Sequence, residues 1–303
     1  MGLDTMPLLQ RRVMPELPEV ETVLRGLSRK ILHKRIQRVE VLHAKTARGQ
    51  VQRLQRTLKG RHVKKISRRG KLLVFHLHPA GGNGFLVVHL KMTGQLIYAD
   101  GKKVAGGGHP YPAVEKLPNA HTRVVIHFAD GSKLYFNDQR IFGFVQVVDE
   151  TGLKKVLANY GPEAVNLDWG DFRNAMKRRK TSLKAALLNQ SLIAGLGNIY
   201  VDEVAHRAKV RPQRRVNSLT ETELRRIFTA IPRVLREAIK HGGTTFSHFR
   251  DASGGKGNYV KKLRVHGRAG KRCKRLACRQ AGALLKKTKV AQRGTVYCPQ
   301  CQE

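Results

Sequence analysis

From Met14 the chain reads MPELPEVETVLRGLSRKIL, where Val20, Val23, Leu24 and Leu27 recur at the spacing of one helical face. Pro18 falls where a first turn tolerates proline, and Glu19 and Glu21 follow where a helix N-terminus favours carboxylates. The pattern predicts a helix over 18–32. From 36 to 148 the period shortens to two, and IQRVEVLHA, KLLVFHLH, GFLVVHLKMTGQLIY, TRVVIHF, KLYFND and FGFVQVV read as strands. Ala129-Asp130-Gly131-Ser132 signals a hairpin between two of them, while GGNG at 81–84 and GGGHPYP at 106–112 read as loops. This turn chemistry predicts an antiparallel β-sandwich. Beyond 150 the pattern turns helical, over 151–159, 171–178, 181–190, 198–208 and 220–240. A Gly/Ser-rich stretch at 253–258 then leads into a basic tail too short to form an adequate core alone. The expected class is multidomain α+β.

Composition narrows the partner. Among 303 residues, 59 Lys and Arg stand against 21 Asp and Glu, a formal charge of +38, while 41% hydrophobic content is enough for real cores. Such an excess repels itself unless a polyanion neutralises it, which points to nucleic acid. The longest apolar runs, Leu72–Phe75 and Phe85–Val88, fall far short of the ~20 residues of a membrane span. The opening MGLDTMPLLQRRV lacks the apolar stretch of a secretory signal, so a cytoplasmic protein is expected.

Four features carry candidate chemistry. Cys273-x4-Cys278 and Cys298-x2-Cys301, separated by 19 residues, suit tetrahedral thiolate zinc. Four sulfur ligands leave no open position, so one structural zinc ion is expected. Residues 264–303 hold eleven Lys and Arg against one acid, Glu303, which suits a grip on a phosphate backbone. Glu16, Glu19 and Glu21 cluster in an otherwise basic chain; the helix N-terminus accounts for the last two better than for Glu16. The run TLKGRHVKKISRRGK at 57–71 reads as a solvated basic face, except that Lys71 leads directly into LLVF, where partial desolvation would suit proton transfer. SLIAGLGNIYVDEVAHRAKV at 191–210 places a glycine turn before a helix, either a phosphate cradle or a plain joint between packed helices.

MPELPEVET at 14–22, followed by RRGKLL, HLKMTG, NDQRIFG, AGLGNIYVDE, HGGTTF and AQRGTVYCPQC, resembles the bacterial formamidopyrimidine-DNA glycosylases in both content and order. The resemblance spans 14–303. It implies a β-sandwich catalytic domain at 14–148, a helix–two-turn–helix domain at 149–252, a lesion-capping loop at 253–262 and a zinc finger at 263–303. It also implies an enzyme that excises oxidised purines from double-stranded DNA and then cleaves the abasic site. Pro15 would be the amine nucleophile, since an α-amine of pKa ~8 keeps far more neutral form at pH ~7 than a lysine does. Glu16 would be the general acid or proton shuttle, Glu19 a supporting acid, and Lys71 and Arg293 would assist the eliminations. Extrusion of the base leaves a gap in the stack. Met92, Arg140 and Phe142 resemble the trio that fills it, Arg140 pairing with the orphaned cytosine, although Phe142 also suits a strand core. His121, Arg140, Arg179, Asn198 and Arg293 would hold phosphates.

Two departures from the family pattern stand out. The first cysteine pair has four intervening residues where the family usually has two. The second is that Pro15 lies inside a peptide bond, where its nitrogen is an amide and cannot attack. The active species is therefore expected to begin at Pro15, after translation from Met14 and removal of that methionine, with residues 1–13 a misassigned start. The alternatives are an endonuclease VIII-type relative acting on oxidised pyrimidines and a non-catalytic nucleic-acid-binding protein on the same scaffold. A monomer is expected.

Overall fold

A computed structural model describes residues 14–78, 84–101, 104–108 (backbone only), 117–177, 179–244 and 258–303. The leader 1–13, most of the GGNG loop, residues 109–112 of GGGHPYP and the 253–257 part of the capping loop lie outside the described residues. The chain divides into two compact units, one reaching to Ala158 and including His241–Asn258, the other made of Asn159–Lys240 and Tyr259–Glu303.

The first unit opens with helix α1, Leu17–Ile31, which buries Val20, Val23, Leu27 and Ile31 as its periodicity predicts. Strand β1 (Ile36–Val41) and helix α2 (Val51–Leu58) follow. Eight further strands complete the unit's sheets: β2 (His62–Arg69), β3 (Leu72–His78), β4 (Gly84–His89), β5 (Gly94–Ala99), β6 (Val104–Gly108), β7 (Thr122–Phe128), β8 (Lys133–Asp138) and β9 (Phe144–Val148). They form a five-stranded sheet ordered β1-β7-β8-β5-β6 and a four-stranded sheet ordered β2-β3-β4-β9, antiparallel throughout. Phe75, Leu86 and Val145 of one sheet share a core with Leu96, Val124 and Phe136 of the other, so the β-sandwich is borne out. Helix α3, Glu150–Leu157, starts on Asp149, whose carboxylate accepts the Gly152 N–H at 2.7 Å.

Three readings need correction or extension. The solvated basic face of 57–71 holds for exposed Lys59, Lys64 and Lys65, but the run also contains the end of α2 and all of β2, with Val63 and Ile66 buried. A register shift between Val63 and Lys65 breaks the alternation, leaving Lys64 and Lys65 both outward and hiding the strand among cations. GFLVVHLKMTGQLIY is two strands in different sheets, because the chain turns at Lys91–Thr93. Gly106–Gly108, read as loop, belongs to β6, whose glycine run offers no side-chain alternation to detect.

The second unit holds α4 (Trp169–Met176), α5 (Leu183–Leu188), α6 (Asn198–Ala208) and α7 (Glu221–Lys240); the last three lie within the helical stretches that the sequence predicts, and α4 starts two residues before its own. Helix α6 is buried on almost every side. The cysteine tail adds a short helix α8 (Leu276–Gln280) and a hairpin of β10 (Lys286–Val290) with β11 (Arg293–Tyr297). The lengthened first knuckle is accommodated because its residues run into α8, which carries Cys278. No helix among the described residues is long and apolar enough to cross a membrane.

Candidate functional site

Pro15 is buried immediately before α1, next to Glu16, which is 2% exposed. The Glu16 backbone N–H donates to Glu19 Oε2 at 2.9 Å. The other oxygen, Oε1, accepts the Thr244 backbone N–H at 2.6 Å and the Thr244 hydroxyl at 2.9 Å. Gly243, at φ +82°, makes this possible: a Cβ there would lie 2.6 Å from Glu19 Oε1. The helix-terminus explanation holds for Glu19, whose Oε2 closes the capping box of α1 on the Glu16 N–H, but it leaves out Oε1, which ties the same carboxylate to Thr244. Glu21 instead bridges to Arg25 at 2.7 Å and Arg68 at 2.6 Å. Burial alone would raise its pKa, but the two guanidiniums outweigh that and hold it below the usual carboxylate range.

Lys71 is only 4% exposed, at the β2–β3 turn where Gly70 takes φ +56°. Burial, then the charges of Lys91, Lys71 and Arg48, push the pKa of His89 down to about 3. Neutral His89 accepts the Lys91 backbone N–H on Nδ1 at 2.9 Å.

Met92, Arg140 and Phe142 come together. Arg140 Nη1 donates to Met92 Sδ at 3.1 Å, and its guanidinium lies 4.5 Å from the Phe142 ring centroid. Phe142 is 48% exposed, so the strand-core alternative for it is overturned. Asp138, fully buried, builds the loop that presents them. Its Oδ1 accepts the Thr93 hydroxyl and the Arg140 N–H (3.2 Å), and its Oδ2 accepts the Gly143 N–H at 2.6 Å. Gly143 is required by close approach, since a Cβ would meet Phe136 at 2.7 Å and Asp138 Oδ2 at 3.0 Å. Half-buried His121 sits at the root of this loop, its carbonyl accepting the Asp138 N–H at 2.8 Å.

In the second unit, Asn198 is the first residue of α6, and its Nδ2 donates to the Gly294 carbonyl at 3.2 Å. Lys184 Nζ reaches the same carbonyl at 3.1 Å and Asp202 Oδ1 at 2.6 Å, both partners of that ion pair being fully buried. Asp202 Oδ2 also accepts the Val296 N–H at 3.3 Å and faces His266 Nδ1 at 3.2 Å. These contacts anchor the β10–β11 hairpin, whose turn residues Ala291 and Gln292 take φ +49° and +59° and deliver Arg293, exposed, as the first residue of β11. Arg179 follows α4, exposed, with Nε on the Ala175 carbonyl at 3.2 Å.

Glu203 lies beside Asp202, wholly buried. Its two oxygens accept the backbone N–H groups of Arg264, Val265 and His266 at 2.9 to 3.1 Å. Burial drives its carboxyl above the usual range against those three donors.

The sulfurs of Cys273, Cys278, Cys298 and Cys301 all lie within 4.8 Å of one another, and all four are free thiols. Tetrahedral zinc with ~2.3 Å bonds needs sulfurs ~3.8 Å apart, so the donor set fits. Burial opposes ionisation of Cys298, but the backbone N–H groups of Cys301 and Gln300 bring its pKa down. His206, fully buried on α6, places Nε2 3.4 Å from Cys273 Sγ. Burial, then Arg275, Arg264 and Arg268, push its pKa down to about 3. Thr244, Asp138, Lys184 and His206 carry no role expected from sequence, although Thr244 lies within HGGTTF, Asp138 within NDQRIFG, and the Lys184 partner Asp202 within AGLGNIYVDE.

A capped N-terminal helix on a β-sandwich, with a helical unit and a four-cysteine hairpin, defines a multidomain α+β protein with a structural-metal type of cysteine cluster. Residues 14–145 match the formamidopyrimidine-DNA glycosylase N-terminal domain, and residues 160–250 match the H2TH domain of the same enzymes. The chain is 41% identical over 296 residues to the formamidopyrimidine-DNA glycosylase of Heliobacterium modesticaldum, covering 96% of this chain and 100% of the relative. It is also 41% identical to the enzyme of that name from Symbiobacterium thermophilum, over 95% of this chain and 89% of the other. Among solved structures, Lactococcus lactis Fpg bound to abasic-site DNA matches with a TM-score of 0.82 at 32% identity, over 95% of this chain and 100% of that one. The wild-type Lactococcus protein with N7-benzyl-Fapy-dG DNA gives 0.81 at 33% identity, with the same coverage. The chain belongs to the formamidopyrimidine-DNA glycosylase family.

Proposed function

We propose that the chain is a bifunctional DNA glycosylase and abasic-site lyase that removes oxidised purines, 8-oxoguanine and formamidopyrimidines, from double-stranded DNA. The observation that carries this reading is the Glu16–Glu19–Thr244 arrangement directly after Pro15. A buried carboxylate pair beside an amine that becomes nucleophilic once it is the N-terminus suits nucleophilic attack with proton transfer at one sugar. The active species begins at Pro15.

The neutral Pro15 amine attacks C1′ of the extruded nucleotide, and the C1′–N bond breaks as the base leaves with a proton. Glu16 handles the proton that opens the sugar to an iminium. That iminium is an electron sink: loss of a C2′ proton breaks the C3′–O bond, and a second elimination breaks the C5′–O bond. Water then releases Pro15. Lys71, held where water is scarce, and Arg293 at the hairpin tip assist the two eliminations. Met92, Arg140 and Phe142 fill the vacated stack, Arg140 bonding the orphaned cytosine, as the exposure of Arg140 and Phe142 and the bracing of half-buried Met92 by Arg140 allow. His121, Arg179 and Asn198 serve as phosphate contacts. One zinc ion on Cys273, Cys278, Cys298 and Cys301 holds the finger that carries Arg293.

Borohydride trapping tests the whole reading, using chains that start at Met1 and at Pro15 on duplexes carrying 8-oxoguanine opposite cytosine or thymine glycol. The expected result is a covalent adduct on 8-oxoguanine from the Pro15 chain alone. Equal trapping by a Met1 chain whose leader is intact by mass spectrometry removes Pro15 as nucleophile. Preference for thymine glycol assigns the oxidised-pyrimidine specificity instead, and no adduct from either chain leaves a non-catalytic binder.

A further inference from the structure

We propose that His206 is a positioning residue for the metal site, donating its Nε2–H to the Cys273 sulfur and thereby setting how tightly and how inertly that thiolate holds zinc. The inference rests on the zinc reading above and goes beyond it, because His206 lies on α6, outside the cysteine tail.

Two observations carry it. The first is geometry: Nε2 and Sγ are 3.4 Å apart, and both residues are fully buried. The second is the rest of the ring. Among the described residues, Nδ1 is buried with no hydrogen-bond partner. A neutral imidazole carries its proton on one nitrogen only. With the proton on Nδ1, a buried donor would be orphaned while Nε2 presented a lone pair to a sulfur that is itself electron-rich. With the proton on Nε2, the sulfur gains a donor and only a lone pair is left unfilled, the less costly state.

Four thiolates on one divalent zinc leave two net negative charges in a buried site, so N–H donors to sulfur are needed there. Cys298 receives two, from the backbones of Cys301 and Gln300. Cys273 receives the backbone N–H of Arg275, and His206 supplies its second. The four residues between Cys273 and Cys278 lead into α8, so this knuckle differs from the two-residue spacing between Cys298 and Cys301. The donor from α6 brings Cys273 level with Cys298.

A donor to sulfur lowers its charge density, which slows attack by oxidants and alkylating agents and favours retention of metal. Replacing His206 by Phe keeps an aromatic ring and removes the N–H; replacing it by Gln keeps an N–H. H206F is expected to weaken zinc binding about 10-fold, the lower end for loss of such a support. It is also expected to release zinc faster to a chromogenic chelator during iodoacetamide treatment, whereas H206Q stays nearer the parent chain. In the cadmium-113-substituted parent chain, the His206 ring proton on Nε2 is expected to couple to the metal through the sulfur.

Metal content by mass spectrometry is measured first. A folded chain that binds no zinc or cadmium overturns both the zinc reading and this inference. One metal per chain together with a proton on Nδ1, no coupling, or equal zinc release from H206F and the parent overturns the role of His206 alone. Equal impairment of H206F and H206Q reduces His206 to packing and overturns it as well.

Discussion

Glu19 and Thr244, separated by 225 positions, are joined through one carboxylate oxygen, which takes both the backbone N–H and the hydroxyl of Thr244. The opposite oxygen holds the backbone of Glu16, so a single buried side chain ties the residue after Pro15 to a distant glycine turn. Glu19→Gln replaces one acceptor oxygen by a donor amide facing donors. It is expected to lower stability by about 1–3 kcal/mol in a urea melt. Gly243→Ala should produce a comparable loss, from its positive φ and the 2.6 Å approach to Glu19 Oε1. A melt unchanged in both variants would remove Glu19 as the tie.

Asp138 shapes the loop that presents Arg140 and Phe142, so any effect on DNA cleavage is expected to pass through that loop. Asp138→Asn weakens the acceptor that holds the Gly143 N–H and the Thr93 hydroxyl. Cleavage of 8-oxoguanine duplex should fall at least about 10-fold, since a misplacement of about 1 Å can cost 100-fold. Binding to undamaged duplex should change little, and a proportional loss on both would contradict this division.

Arg179 is expected to behave oppositely. Arg179→Ala should weaken damaged and undamaged duplex alike and reduce the slope of log affinity against log salt by about 1. The parent chain, at +38, should itself show a steep slope. Titrations at several salt concentrations measure both.

The Lys184–Asp202 pair is buried at both ends. Lys184→Met strands a carboxylate and is expected to cost about 3–5 kcal/mol. Adding Asp202→Asn should recover part of the loss, giving a coupling of about 1 kcal/mol or more in a double-mutant cycle by urea melting. Strict additivity would show that the pair is not coupled.

His89 gives a pH signature. Its pKa is about 3 when folded against 6.5 as the ordinary value, so below pH 6.5 the unfolded chain takes up a proton that the folded chain refuses. The sign follows: this contribution to stability is fully present above 6.5 and is lost as pH falls from 6.5 towards 3, by up to about 1.4 kcal/mol per pH unit. Urea midpoints at pH 7 and 5 should separate less for His89→Gln than for the parent. An equal separation would dismiss His89 as the source.

The periodic elements and the cysteine cluster were legible from sequence because each is specified locally. Helix α1 announces itself through Val20, Val23 and Leu27, and the Asp130-Gly131 turn through its residue types. Strand β2 was not legible, since its bulge after Val63 turns two lysines outward and destroys the alternation. The trio of Met92, Arg140 and Phe142 emerged from motif resemblance, yet its support, Asp138, looked like any strand-ending acid. Partnerships such as Glu19 with Thr244 or His206 with Cys273 depend on long-range closure and leave no periodic trace.

Between β4 and β5 the chain passes from one sheet to the other in the four residues Leu90–Thr93, and at Gly94 an ideal Cβ would stand 2.4 Å from the Leu90 carbonyl oxygen. Any side chain at 94 would collide with the backbone of that crossing, whereas the side chain at 92 is half-exposed and takes the Arg140 guanidinium on its sulfur at 3.1 Å. The glycine at 94 thus works as a fixed mount: it sets where the side chain at 92 stands by leaving the backbone beneath it no room to move.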